Sequence, residues 1–228
     1  MPATLAVIGD VHAEWGRLKL VLRRIAAEKV DGILLVGDIA CAHHAPPNSL
    51  RRTRYLMNVD GVLREVRSLD VPVRWVPGNH DIPSPPFEGN LDHRVEEVAG
   101  YRVAGIGGAG PDRFGFPYEW SDEELAARVI PEADVYLAHA PPKDTALDVV
   151  LSGDHVGSAS IRALALSRRG VLLCGHIHEA AGVIRLGEMV CMNAGGLGAP
   201  CGKPQVGFVR GPEQVWHEDL ETGKISAL

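Results

Sequence analysis

Five short apolar runs along the chain each stop at residues that carry metal-binding atoms. Ala3–Gly9 leads into Asp10-Val11-His12, and Gly32–Gly37 into Asp38. Val71–Val76 leads into Gly78-Asn79-His80-Asp81, Asp134–Ala138 into His139, and Val171–Gly175 into His176-Ile177-His178. Such runs predict strands, and a run without polar alternation predicts a strand covered on both faces. Between the first three runs the period changes. Leu18, Val21, Leu22, Ile25 and Ala26 predict a helix over 14–28, with Arg17, Lys19, Arg23 and Arg24 on its other faces. Leu56, Val59, Leu63 and Val66 predict a second helix over 50–69. Gly61 costs that helix about 1 kcal/mol relative to alanine and marks where a break would fall. The order strand–helix–strand–helix–strand predicts parallel strands joined by right-handed crossovers. In such sheets ligands bind beyond the carboxyl ends of the strands. That rule gathers Asp10, His12, Asp38, Asn79, His80, His139, His176 and His178 on one rim.

Beyond Asp81 the pattern is more broken. Residues 82–90 are rich in proline and predict an irregular surface loop. Short strands are expected within 93–98 and 101–106. Gly105–Gly110 opens no helix, so it reads as a tight turn rather than a phosphate cradle. Residues 111–120 hold Phe114, Phe116, Tyr118 and Trp120, and predict a loop packed by its own rings rather than a base-stacking platform. Ser121 followed by three acids predicts a capped helix start. A strand over 135–138, a helix over 158–168 and a strand over 171–174 follow. Stretches at 182–186, 189–193, 205–209 and 214–217 alternate with glycine turns and predict antiparallel strands.

The 228 residues suit one domain over 1–228. Hydrophobic residues at 46% and charged residues at 23% are those of a soluble globular protein. The net charge of −6, with no Lys/Arg block longer than two, argues against a binder of duplex DNA. It leaves room for an anionic substrate, because bound metal ions would dominate the local field. Cys41, Cys174, Cys191 and Cys201 form no C-x-x-C pair, which argues against a structural zinc site. Cys174, inside an apolar run, reads as a buried small hydrophobe. No secretory leader or membrane-length apolar run is visible, and the expectation is a cytoplasmic protein with reduced thiols.

Two Asp, one Asn and three or four His are too many ligands for one structural zinc. They suit two divalent ions, each with oxygen and nitrogen donors and a position left for water. A pair of ions ~3.5–4 Å apart clamps the attacking and leaving oxygens of a phosphoryl displacement and makes a hydroxide nucleophile at neutral pH. Two carboxylates against two divalent ions leave the site positive, which favours an anionic, phosphate-like substrate.

The blocks Gly9-Asp10-Val11-His12, Gly37-Asp38, Gly78-Asn79-His80-Asp81, Ala138-His139-Ala140-Pro141-Pro142 and Gly175-His176-Ile177-His178 resemble, in order and spacing, those of the calcineurin-like metallophosphoesterase superfamily. Asn193-Ala194-Gly195 resembles the segment that follows the last histidine pair in small bacterial members. The resemblance implies an α/β fold: a four-layer α/β/β/α sandwich of two mixed sheets. It implies dinuclear metal-dependent hydrolysis of a small phosphate ester, a diester first, by attack of a metal-bound hydroxide. Asp10, His12 and His178 would hold one ion, and Asn79, His139 and His176 the other, with Asp38 bridging and His80 as general acid at the leaving-group oxygen. The ions are expected from among Mn, Fe, Zn, Co and Ni, manganese first. Many members carry an acid three residues after the bridging Asp; here Cys41 stands there, so what orients His80 is open. His43 and His44 are candidates from the same loop, and Asp81 is a candidate support for His80 or a turn residue. The Asp-Arg-Gly continuation typical of Ser/Thr protein phosphatases is missing, which disfavours a phosphoprotein substrate. The competing readings are a phosphomonoesterase, a nuclease of the same superfamily and a non-catalytic metal-binding regulatory module. Asp154 and His155 read as a solvated turn rather than as substrate contacts.

Overall fold

A computed structural model describes residues 2–42, 45–110 and 114–228. The chain runs β1 (Leu5–Ile8), α1 (Trp15–Glu28), β2 (Gly32–Leu35), α2 (Leu50–Arg67), β3 (Val73–Trp75), β4 (Val95–Val98), β5 (Tyr101–Ile106), α3 (Asp122–Ala126) and β6 (Val135–Ala138). It continues through α4 (Ala159–Ser167), β7 (Gly170–Cys174), a 3-10 turn at His178–Ala180, β8 (Gly182–Leu186), β9 (Met189–Asn193), β10 (Gln205–Val209), β11 (Val215–Asp219) and β12 (Ile225–Ala227).

The strands form two six-stranded mixed sheets, ordered β12-β11-β10-β1-β2-β3 and β4-β5-β6-β7-β9-β8. The unbroken apolar runs explain the stacking. In β1, Leu5 and Val7 join the core between the sheets, while Ala6 and Ile8 join the core beneath α1 and α2. In β7, Val171 and Leu173 face the first sheet, while Leu172 and Cys174 pack with Ile161 and Leu164 of α4. Side chains that alternate across a strand therefore feed two apolar cores at once. The result is four layers, helix–sheet–sheet–helix. All four cysteines are free, with Cys174 buried. Among the described residues no helix is long and apolar enough to cross a membrane.

Two local expectations change. α2 continues unbroken through Gly61, because the glycine makes room for a ring: a Cβ there would lie 2.7 Å from Trp15 Cη2. The second sheet is also more parallel than its sequence pattern suggests. β5, β6, β7 and β9 all run parallel, and only the edge strands β4 and β8 are reversed. The β8–β9 hairpin places its second strand, not its first, beside β7, and that choice makes the pairing parallel. The short strand β12, unforeseen in the sequence, pairs antiparallel with β11. The predicted cap is present: Ser121 Oγ accepts from Glu124 N, and the Glu124 carboxylate returns to Ser121 N.

His217, on β11, is a buried histidine. Burial pushes its pKa down to about 4, so it is neutral in the fold. In the unfolded chain it takes up a proton near the ordinary value of 6.5. Its contribution is therefore complete above that value and is lost as pH falls from there to about 4. Between pH 7 and 4, urea unfolding is expected to lose roughly 3 kcal/mol more from the wild type than from His217→Gln. Parallel pH profiles for the two proteins would remove His217 as the cause.

Candidate metal centre

The loops after β1, β2, β3, β6 and β7 bring their polar residues together at the carboxyl ends of both sheets. His12 Nε2 lies 3.5 Å from Asp38 Oδ2, and His178 Nε2 lies 3.4 Å from Asp10 Oδ1. His139 Nε2 lies 3.0 Å from Asn79 Oδ1, 3.6 Å from Asp38 Oδ2 and 4.0 Å from Asp10 Oδ1. The His176 ring centroid is 5.0 Å from that of His139, and His12 and His178 are 5.3 Å apart. Two sets of donor atoms are compact enough to hold an ion: Asp10, His12 and His178, and Asp10, Asp38 and His139. Asp10 belongs to both sets, while Asp38 reaches toward both His12 and His139.

Backbone groups aim these side chains. His139 Nδ1 donates to Val36 O at 2.7 Å, and His178 Nδ1 to Pro200 O at 2.7 Å. Each bond orients its ring, and in neutral His139 it leaves the Nε2 lone pair toward the carboxylates. The Asp10 carboxylate accepts the backbone N–H of His176 at 2.9 Å, and Asp38 Oδ1 that of His80 at 2.9 Å. The glycine ahead of several of these residues has a spatial reason. A Cβ at Gly78 would collide with Asp38 Oδ1, and one at Gly175 with Asp10 Oδ2. His12, Asp38 and His176 adopt φ of 47°, 48° and 68°. Such left-handed backbone costs roughly 1–2 kcal/mol per residue, the kind of strain that concentrates at functional sites.

With Nδ1 of His139 committed to a carbonyl, its Nε2 lone pair faces the oxygens of Asn79, Asp38 and Asp10 in a buried space. Acceptors that converge in this way repel one another, and a divalent cation is what the donor set fits. The charges agree. Burial and the neighbouring carboxylates of Asp10 and Asp81 push Asp38 well above the usual carboxylate range. Burial also pushes Asp10 up, but the hydrogen bond from His178 and the nearby imidazoles outweigh it and hold Asp10 low. Burial lowers His178, but Asp10 outweighs it and carries His178 up to about 9. Burial lowers His12 to about 4 and His176 to about 3, so both offer neutral imidazoles.

His80 is half-buried beside these residues. Its ring centroid is 5.1 Å from that of His12, and Cys41 Sγ lies 3.6 Å from its Nδ1. The Phe116 ring packs on it at 4.2 Å between centroids. Thus Cys41 does contact His80, where Asp81 was the other candidate. The Asp81 carboxylate points elsewhere. It accepts the N–H groups of Ile39, Ala40 and Gly78 and the Tyr55 hydroxyl, clamping the Asp38 loop to the Asn79 loop. His43 and His44 lie outside the described residues. Asn193 donates to Leu147 O and Ile177 O and accepts from Gly195 N, which ties down the last histidine pair. His155 is not merely a turn residue, because its Nδ1 bonds the buried carboxylate of Asp148 at 2.7 Å. Phe116 and Pro200 were missed as site residues. Phe116 stood out only as one of a run of aromatics, and the role of Pro200 belongs to its carbonyl, which no side-chain pattern reveals.

A helix-flanked double sheet with oxygen and imidazole donors at its common rim is an arrangement able to hold metal ions. The chain belongs to the calcineurin-like phosphoesterase family, whose family model matches residues 3–180. An uncharacterised protein of Methanocaldococcus jannaschii is 33% identical over 136 residues, 53% of this chain. The match spans 62% of that relative's length. The crystal structure of TT1561 of Thermus thermophilus superimposes with a TM-score of 0.61 at 17% identity, covering 100% of this chain and 99% of that one. A dimetal phosphatase from Danio rerio gives 0.61 at 14%, covering 100% and 98%. An archaeal phosphodiesterase gives 0.51 at 14%, covering 99% and 98%. At these identities the likeness concerns the fold.

Asp81→Ala would strip a shared acceptor from three buried N–H groups. The expected loss is about 3 kcal/mol or more in urea unfolding of metal-free protein. A loss below about 1 kcal/mol would mean that other contacts hold the two loops together.

Proposed function

We propose that the chain hydrolyses a small phosphate ester with the aid of two divalent ions, and that a diester is its preferred substrate. The observation that carries this reading is the buried convergence of Asp10, Asp38, Asn79 and His139 acceptors at the ends of two sheets. Asp10, His12 and His178 would hold one ion, and Asn79, His139 and His176 the other. Asp38, within 3.6 Å of both His12 and His139, would span the two. When bound, the ions supply Lewis acidity toward phosphoryl oxygens and a nucleophile drawn from water at neutral pH.

The rest falls to the chain's own groups. The His80 backbone N–H is held by Asp38, and its imidazole lies beside His12 at the edge of the proposed ion pair. From there it donates a proton to the departing alkoxide oxygen. Cys41 Sγ contacts its Nδ1 at 3.6 Å. Phe116 packs against the ring. A cavity of ≈ 530 Å³ beside Asn79 and His176 leaves room for an ester arm. The archaeal phosphodiesterase and the dimetal phosphatase are consistent in fold with this reading.

The test is hydrolysis of bis-p-nitrophenyl phosphate beside p-nitrophenyl phosphate, using chelator-stripped protein restored with Mn²⁺. Faster turnover of the diester is expected. Turnover of the monoester alone would reassign the substrate class, and silence on both with every divalent ion tried would sink the reading. His80→Asn is expected to lower kcat by about 100-fold or more while bound metal, measured by elemental analysis, stays at the wild-type level. An unchanged kcat would remove His80 from the chemistry.

A further inference from the structure

The cavity beside the metal centre is built from distinctive parts. Asn79 and His176 line its inner end, so it opens directly from the rim. Phe114 and Phe116 line it with ring centroids 6.1 Å apart, and Val156 adds aliphatic surface. Lys143 and His155 also line it, beside the acids Glu119 and Glu179.

The loop that presents Lys143 and His155 is held rigidly. Asp148, fully buried, accepts the N–H groups of Asp144, Thr145 and Gly157 and pairs with His155 Nδ1. The pairing raises the pKa of His155, favouring its charged form. The acids of the cavity are engaged in its frame. Glu119 accepts from Gly115 N at 2.8 Å and Phe116 N at 3.1 Å, and Glu179 accepts from Leu151 N at 3.2 Å. Lys143 is in no ion pair among the described residues, and its ammonium is available to a ligand.

We propose that this cavity is the subsite for the organic arm of the substrate, and that this arm is a planar aromatic ring system with a hydrogen-bond acceptor turned toward Lys143 and His155. The inference rests on the phosphoesterase reading for its phosphate position. A phosphate seated at the rim has its ester arm within the cavity, because Asn79 and His176 border both. Aromatic side chains favour flat partners, through offset or edge-to-face contact. A few placed polar groups in an apolar pocket fix the orientation of what it holds.

Non-hydrolysable phosphonates test this without turnover. Calorimetry on manganese-loaded protein would compare methylphosphonate, naphthylmethylphosphonate and coumarinylmethylphosphonate, the last with a carbonyl acceptor on its ring. The naphthyl compound is expected to bind at least about tenfold tighter than the methyl one. The coumarin compound is expected to bind tighter again by about threefold or more. Val156→Trp, which narrows the cavity, is expected to lower the aromatic preference, and Lys143→Met the coumarin increment. If Val156→Trp does not fold, Phe114→Ala removes an exposed wall and must lower the aromatic preference. Equal affinities across the series, or preferences that survive these substitutions, would overturn the subsite. Aromatic preference in a protein that hydrolyses no phosphate ester would keep the subsite and remove the hydrolase reading. Hydrolysis with a flat phosphonate series would do the reverse.

Discussion

The central constraint on this protein is electrostatic: acceptor atoms are held together where they repel. Two buried carboxylates, an amide oxygen and an imidazole lone pair meet at the rim, and burial denies them the water that would screen them. Much of the surrounding structure serves to hold that arrangement. Backbone N–H groups of His176 and His80 pin Asp10 and Asp38, and the carbonyls of Val36 and Pro200 turn two imidazoles inward. Asp81 adds a third buried carboxylate solely to join two loops, and burial pushes it up to about 6 despite its donors. Left-handed backbone at three rim residues adds strain. These costs are borne by three apolar cores, which fix the strands from which the loops spring.

The arrangement also divides labour between rigid and exposed parts. Asp10, Asp38, Asn79 and His139 are buried, whereas His80 is half-buried and Cys41 exposed. A thiol beside His80 orients the imidazole less strongly than a carboxylate would, because a sulfur contact is weaker than a charge-assisted hydrogen bond. Phe116 offsets part of that loss by packing on the ring. The same phenylalanine borders the neighbouring cavity, so one side chain joins His80 to the cavity proposed to hold the organic arm.

The strands that carry the rim were legible because their apolar runs are covered on both faces. Their endings were legible because Gly-Asp, Gly-Asn-His-Asp and Gly-His-Ile-His put ligand chemistry where a strand must stop. Helices α1, α3 and α4 followed from period and capping. Gly61 misled as a possible break, since its reason is a tryptophan distant in sequence. The parallel centre of the second sheet was hidden because local alternation does not say which neighbour a hairpin strand will choose.

The sequence by itself therefore determined the layered α/β architecture, the family and the candidate metal-binding residues, because those depend on local periodicity and on residue chemistry at strand ends. Tertiary structure alone decided which groups touch. It set Asp81 as a loop clamp rather than a support for His80, seated Phe116 on that histidine, and joined His155 to Asp148 at the edge of a cavity. These are contacts between segments brought together by sheet order and twist, and no local pattern of residues encodes them. Backbone carbonyls and amides complete the site, and they are the same at every position of the sequence.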